Sequence, residues 1–464
     1  MPTTATARRA RATLAALSAT TALAIGCSDP FVPDYNNPTI ADVVADAAQL
    51  QGQASGLLSG DRERHAFQIL VLETMGRDAY RIDVADPRYL LQPLGQFSPG
   101  AFLVDFTWNS LYQTIRGAQL LTRGVDASTT LSAGDKAATR GFARTLQALQ
   151  YIRLVETRDT LGVPILSGAG TLDPVRCKPA VLAYAVALLD SAAADLAAAG
   201  PAFPFTLSSG FTATGTFDTP ATFRRFNRGL AAKARTYQGF IDFARNGSVG
   251  TAALQAALTA LGESFASETG ALRDGAYHVY STASGDLANA NYDPSVYRAN
   301  PKVLADAEAG DLRLSKVRRD PASRKENSDG TIASDILFTN VTGPTSPLPI
   351  LTNEELLLIR AEVLWGLQRD AEALALVNVV RSRAGGLSAR TAGSLATRTD
   401  LLREILRQKR YSLLFESGAR LVDMRMFGFF NELGAELGAG NLGPRVIPFP
   451  QAEIDARGGN LACS

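Results

Sequence analysis

Between Thr352 and Ala384 the chain carries two amphipathic stripes split by a polar turn, and no other feature limits its fold as tightly. Thr352-x-x-Glu355 is a capping box, in which a hydroxyl and a carboxylate satisfy the free N–H groups of a helix start. Leu356, Ile359, Val363 and Leu367 then recur at helical spacing. Gly366 and the polar Gln368-Arg369-Asp370 supply a stop, a short turn and a new N-cap. Ala371, Leu374, Val377 and Val380 form the apolar stripe of a return helix, and the small residues Ala361 and Ala373 allow the two helices to approach closely. One such hairpin cannot bury its apolar face alone, so a stack of about four helix pairs is expected.

The hairpin resembles the tetratricopeptide type without meeting its full consensus. The same periodicity predicts helices over roughly 39–58, 63–80, 104–124, 133–158, 179–198, 219–246, 251–267, 353–367, 370–384 and 398–418. The segments 133–158 with 179–198, and 219–246 with 251–267, are candidate further pairs. Strand-like alternation is confined to short pieces, and about 268–350 is a long irregular insertion. The expected fold class is mostly α, a superhelix of helix pairs with an irregular, loop-rich ligand-binding side.

Arg8, Arg9 and Arg11, with no acidic residue, precede an apolar run from Ala12 to Ile25. A basic start and a short apolar stretch make a secretory signal, and about 14 residues are too few to span a bilayer. The run ends in Ala24-Ile25-Gly26-Cys27, similar to a bacterial lipobox. Residues 1–26 are therefore expected to be removed, Cys27 to be acylated, 27–38 to act as a lipid-anchored tether, and 39–464 to fold as one helical domain. Loss of three arginines turns the formal charge of +1 into −2. The mature protein is expected outside the cytoplasm, anchored to the outer membrane at the cell surface. An oxidising compartment permits a bridge between Cys177 and Cys463. Nothing in the sequence brings them together, and two unrelated thiols are the plainer expectation.

Lys and Arg total 46 against 45 Asp and Glu, which leaves no electrostatic case for a nucleic-acid partner. Two histidines and three cysteines offer little for metal chemistry, and no metal, cofactor or catalytic set is expected. Gly438-Ala-Gly440-Asn-Leu-Gly443 matches a dinucleotide pattern by letters but follows no strand and runs into Pro444. His65, in a helix, and His278, in a loop, read as structural or surface residues. Glu354 and Glu355 suit a helix first turn. Glu404, Glu416 and Asp423, among Arg407, Arg410, Arg420 and Arg425, read as a solvated or cross-helix ion-pair face.

Several segments together resemble the SusD/RagB family of outer-membrane nutrient-binding lipoproteins. Trp108-Asn-Ser-Leu-Tyr112-Gln-Thr-Ile115 is similar to the family's W-x-x-x-Y-x-x-I helix. The run from Arg140 through Tyr151 to Gly162-Val-Pro164-Ile165 resembles its long helix and G-x-P-L turn, and Leu230–Arg235 its A-K-A-L-x-A-R helix. Asp311-Leu-Arg313 matches a D-x-R loop. Leu358-Ile359-Arg-Ala361-Glu362 and Val377-Asn378-Val-Val-Arg381 match the L-I-x-A-E and I-N-x-[IV]-R pair. Arg407–Asp423 and Pro448–Ile454 resemble the closing blocks. Gln408 and Ser412 stand where the family usually has Glu, so buried charge pairs are expected to be lost there. The resemblance implies a lid seated on a TonB-dependent, SusC-like outer-membrane barrel, with an oligosaccharide, glycopeptide or peptide captured between them and no bond made or broken.

Sugar recognition combines aromatic faces with planar polar groups. Residues 80–97 hold Tyr80, Arg81, Asp83, Arg88, Tyr89 and Phe97; residues 277–300 hold a second such mix. Tyr89, Tyr277, Tyr280, Asn291, Tyr292 and Tyr297 are the candidate ligand contacts. Trp108 and Trp365 lie on helices with apolar neighbours and are expected in the core. The competing readings are a surface glycosidase, whose carboxylates the sequence does not pair, and a tetratricopeptide-type scaffold with only protein partners.

Overall fold

Eleven helices carry the architecture, and ten of them fall within the segments whose periodicity predicts them. The computed structural model describes residues 47–168, 172–213, 216–437 and 443–464. The export signal, Cys27, the tether and residues 438–442 of the glycine-rich run lie outside the described residues. The helices are α1 (Ala47–Glu63), α2 (His65–Met75), α3 (Asn109–Ala127), α4 (Ala133–Arg158), α5 (Lys178–Ala198), α6 (Pro220–Gly239), α7 (Thr251–Gly262), α8 (Asn353–Gly366), α9 (Asp370–Arg383), α10 (Arg398–Ser412) and α11 (Ala419–Met426).

Four pairs stack: α1 with α3, α4 with α5, α6 with α7, and α8 with α9; α10 then packs on the last pair. One apolar core runs through all of them, from Leu50 and Leu57 through Phe142 and Leu230 to Leu356, Val377 and Ile405. Close helix approach needs small residues. A methyl added at Gly141 of α4 would lie 2.5 Å from Leu196 Cγ of α5, so this crossing tolerates nothing larger than hydrogen. Helix α5 is the one described helix long and apolar enough to cross a membrane, and it is packed between α4 and α6.

The hairpin at α8–α9 forms, with four differences from expectation. Thr352 Oγ1 accepts the Glu355 N–H at 3.3 Å, but the Glu355 carboxylate turns to Lys233 instead of closing the box. Gly366 is the last helical residue; its role is close approach, since a Cβ there would lie 2.4 Å from Leu254, while the left-handed turn falls on Gln368 (φ 62°). Arg369, not Asp370, takes the N-cap position. The buried stripe of α9 is Ala373, Leu376, Val377 and Val380; Ala371 is exposed. Helix α8 is buried on almost every side, because α6, α7, α9 and α10 surround it. Trp108 and Trp365 are buried in the core.

The motif segments meet across the stack. Tyr112 donates to the Pro164 carbonyl at 2.8 Å, and the buried Arg381 pairs with Glu308 at 2.8 Å and with Glu404 at 2.5 Å. All three acids of the predicted ion-pair face are buried, so the solvated alternative is set aside. Glu404 and Asp423 are cross-helix partners, with Asp423 and Glu362 holding Lys409 at 2.8 and 2.7 Å, whereas Glu416 lies in the turn after α10 and pairs with Arg273 and Lys316. Gln408 and Ser412 do not leave their partner empty. Arg313, paired with Asp311 at 2.7 Å, donates to Gln408 Oε1 at 2.6 Å and Ser412 Oγ at 3.0 Å.

Between α7 and α8 the chain forms short antiparallel strand pairs. Gly275–His278 pairs with Leu348–Thr352, Val317–Arg319 with Ile336–Phe338, and Lys325–Glu326 with Ala333–Ser334; Tyr297–Ala299 pairs back to Ala79–Arg81. His278 therefore sits on a strand, not in a loop. The two later cysteines are bridged, contrary to the plainer expectation: Cys177 and Cys463 form a disulfide with Cα atoms 4.9 Å apart. Main-chain bonds from Cys177 to Ser464 and from Ser464 to Val175 bring the segments together, a juxtaposition that a sequence separation of 286 conceals.

Candidate functional site

Two segments nominated for their aromatic and amide content become neighbours through one strand pair. Ala79–Arg81 lies antiparallel to Tyr297–Ala299 with Arg81 opposite Tyr297, and an Ile82 N–H to Val296 carbonyl bond of 2.8 Å extends the ladder. The Arg81 guanidinium is held by Asp83 at 3.0 Å and lies over the Tyr89 ring at 3.7 Å, with the Tyr297 ring 5.9 Å away. Tyr89 continues into a half-exposed row of rings. Its centroid is 4.9 Å from Phe102 and 6.2 Å from Phe67, and Phe106 closes the row at 5.3 and 5.2 Å from these two. Arg64 and Arg88 lie over Phe106 and Phe102 at 4.0 and 4.8 Å. A strip of aromatic faces edged by three guanidinium groups results, able to take C–H surface and hydroxyls together.

On the other side of Tyr297 opens a cavity of about 230 Å³, lined by Asn291, Tyr292, Asp293, Phe338, Thr339 and Val341 among others. Local turns shape it. Asn289 Oδ1 accepts the Asn291 N–H at 2.9 Å, and Asp293 Oδ1 accepts the Ser295 N–H at 2.9 Å, so two Asx turns direct the loop back into its strand. Asn291 is 2% exposed, and neither its amide oxygen nor its amide nitrogen has a hydrogen-bond partner. A buried carboxamide without partners costs about 1–3 kcal/mol, and this one belongs to a residue that lines the cavity.

Of the remaining candidates, Tyr292 and Tyr297 line this cavity with Asn291, whereas Tyr89, Tyr277 and Tyr280 lie outside its lining. Tyr297 is buried, donates to the Ala290 carbonyl at 2.7 Å, and burial pushes its phenol above the ordinary tyrosine range. Tyr277 is buried and donates to the Arg273 carbonyl at 2.6 Å. Tyr280 is buried with its hydroxyl unpartnered, and Arg62 lies 5.9 Å from its ring. Tyr292 is half-buried and Tyr89 half-buried, so these two present ring surface. Cys27 lies outside the described residues.

Sequence reasoning missed a buried polar cluster joining α1, α2, α4 and the Gly275–His278 strand. Asp61 pairs with Arg153 and accepts from His278 Nε2 at 2.8 Å; the His65 ring packs edge-on to His278 at 5.1 Å and bonds the Pro349 carbonyl at 3.0 Å. Burial alone would raise the Asp61 carboxyl, yet Arg153 and His278 hold it well below the usual range, while burial pushes both imidazoles down towards their neutral forms. These side chains are sealed from solvent, and among the described residues no group of three or more His, Cys, Asp or Glu is placed to hold a metal ion. The only signal for the cluster in the sequence is that the two histidines of the whole chain both belong to it.

No protein-family model matches the chain, and no curated protein matches it by sequence. Solved structures do match. A SusD superfamily protein from Bacteroides fragilis superposes with a TM-score of 0.67 at 16% identity, covering 90% of this chain and 99% of that one. B. fragilis NanU gives 0.64 at 16%, covering 91% and 98%. A SusD-like carbohydrate binding protein from Bacteroides vulgatus gives 0.61 at 16%, covering 82% and 84%. At such identities the likeness is one of fold, and it runs along nearly the whole chain.

Proposed function

From the premise of a SusD-like fold, we propose that the protein is a non-catalytic surface lipoprotein that captures an oligosaccharide or related nutrient and delivers it, as a lid, to a TonB-dependent outer-membrane barrel. One observation carries the binding part of this reading: the Asn291 carboxamide, buried on a cavity wall with both polar atoms unpartnered. A sugar's hydroxyls both donate and accept, and so fit an amide that offers one of each. Tyr292 and Tyr297 beside it and the Arg81–Tyr89 stack supply faces for the sugar ring, while Tyr277 and Tyr280 are buried outside the cavity's lining. One of the proteins sharing the fold is described as carbohydrate binding. The lipid anchor at Cys27 rests on the lipobox-like Ala24-Ile25-Gly26-Cys27, and the barrel partner rests on the motif resemblance.

The test is binding of a panel of neutral oligosaccharides to wild-type protein and to Asn291→Leu, with the recovered ligand checked for cleavage. The variant removes the amide at nearly constant volume. Affinity should fall about tenfold, the loss of a hydrogen-bonded contact, with melting unchanged or raised because no internal bond is broken. Wild-type affinity retained in Asn291→Leu, or cleaved glycan, overturns the reading. Cys27→Ala should release the protein from membranes, and a barrel should co-purify with the anchored form.

A further inference from the structure

A second cavity shares a wall with the first. Thr339 and Val341 line the Asn291 cavity, whereas Asn340 between them lines a cleft of about 540 Å³, a volume typical of small-molecule sites. The cleft forms where the turn Leu312–Lys316 docks on the end of α9, through a Leu312 N–H to Gly385 carbonyl bond of 2.9 Å. That contact sets Arg313 and Lys316 beside Arg383, and Arg273 enters from the loop before the Gly275–His278 strand.

The charges in this cleft are unequally matched. Glu416 is buried and pairs with Arg273 at 2.6 Å and with Lys316 at 3.1 Å. Burial would raise its carboxyl, but Lys316 and Arg273 hold it below the usual range, so it remains charged. Arg313 is matched by Asp311. Arg383 donates only to the main-chain carbonyls of Glu268 and of Gly270, the latter at 2.7 Å, and no carboxylate neutralises it. The remaining acid, Glu354, is 4% exposed, and burial pushes its carboxyl up towards the neutral form. Its Oε1 is buried without a partner, as is Oδ1 of Asn340. The cleft thus holds an uncompensated guanidinium and two unpaired acceptor oxygens, between the apolar walls of Leu272, Leu312 and Ala384.

We propose that this cleft is a separate binding site for a polyhydroxylated organic carboxylate of sugar-acid size, its carboxylate on Arg383 and its hydroxyls donating to Asn340 Oδ1 and Glu354 Oε1. A carboxylate forms an ion pair with a guanidinium, both partners charged and the contact bidentate, which a neutral sugar cannot. The site is independent of the Asn291 cavity and of what that cavity binds.

Calorimetric titration with sodium glucuronate and with glucose tests it. Glucuronate should bind about tenfold more tightly than glucose, as one charge-assisted pair requires. Arg383→Ala and, as a second variant, Leu312→Asp should each remove about that tenfold preference. Both positions are exposed, so the melting temperature should stay at the wild-type value. Asn291→Leu should leave glucuronate affinity unchanged, which separates this site from the proposed glycan cavity. Equal binding of the two sugars, undiminished preference in Arg383→Ala, or a preference lost in Asn291→Leu alone overturns the proposal.

Discussion

Arg81 lies with its guanidinium carbon 3.7 Å from the centre of the Tyr89 ring, eight positions on, while its backbone pairs with Tyr297 across a two-stranded sheet. The stack presents one face of Tyr89 as a flat, rigid surface in the half-exposed aromatic row. Tyr89→Ala should lower affinity for the bound glycan by about tenfold, the worth of one aromatic face. Arg81→Lys keeps the charge and loses the planar stack, so it should lower affinity by a few-fold while melting stays close to wild type. Titration of both variants checks this, and full affinity in Tyr89→Ala would place the ligand off this strip.

The bridge between Cys177 and Cys463 joins two segments that also share two main-chain bonds and an Arg176 guanidinium to Ser464 Oγ bond of 3.1 Å. Replacing both with Ser should cost about 2–4 kcal/mol. Hydrogen exchange should quicken first at Val175–Cys177 and at Ser464. Thermal melts with and without reductant, compared between wild type and variant, measure the effect: reductant should lower wild-type stability and leave the variant unmoved.

Lys409 is sealed between Glu362 and Asp423 at 2.7 and 2.8 Å. Two carboxyls share one ammonium; burial and the neighbouring Asp423 raise Glu362 to about 8, against the pull of Lys409. With Glu362 already largely protonated at neutral pH, Lys409→Met leaves the Asp423 carboxylate uncompensated and should cost about 3–5 kcal/mol there. Because Asp423 can protonate in turn, the loss should shrink at pH 5. Urea denaturation at the two pH values tests it, and an equal loss at both would contradict an uncompensated buried carboxylate in the variant.

His278, donating to Asp61, is held neutral by burial, so its folded pKa lies below its unfolded value near 6.5. Below about pH 6.5 the unfolded chain takes up a proton that the folded protein refuses, and the histidine's contribution to stability falls as pH falls, by about 1.4 kcal/mol per unit. Glu73 and Glu362, raised to about 8, act oppositely: they favour the folded state at low pH and lose that contribution as pH rises towards 8. The histidine effect must therefore be read as a difference. His278→Gln keeps a donor for Asp61 and removes the titration, so its stability deficit should narrow as pH drops from 7 to 5. A deficit constant over that range would rule out the buried neutral imidazole.

The helix stack was legible because local signals suffice for it. Periodic apolar residues and a Thr352 cap define α8, and small residues such as Ala361 and Ala373, both buried, announce close crossings without any knowledge of the partner helix. What stayed hidden depends on distant segments meeting. The Cys177–Cys463 bridge, the Asp61–His278–His65–Arg153 cluster and the burial of Glu404, Glu416 and Asp423 each join segments far apart in sequence. For the proposed ligand wall, aromatic and amide content singled out a stretch of chain that contributes Asn291, Tyr292 and Tyr297 to one cavity. It did not distinguish Tyr292, with its ring surface showing, from Tyr297, whose hydroxyl is spent on Ala290. That distinction comes from loop turns, which alternate side chains between wall and support.

The pairing of Arg81 with Tyr297 spans a separation whose closure costs about 5 kcal/mol in chain entropy. A three-residue strand pair cannot offset that by itself. The junction is held by neighbours: Asn300, whose N–H reaches the Asp78 carbonyl at 2.9 Å and whose amide donates to the Arg77 carbonyl at 2.8 Å. The aromatic strip is thus conditional on two distant segments meeting. A chain interrupted between these two segments would keep helices on either side and yet lack the strip, so binding at the proposed glycan site would double as a report that the whole molecule has come together.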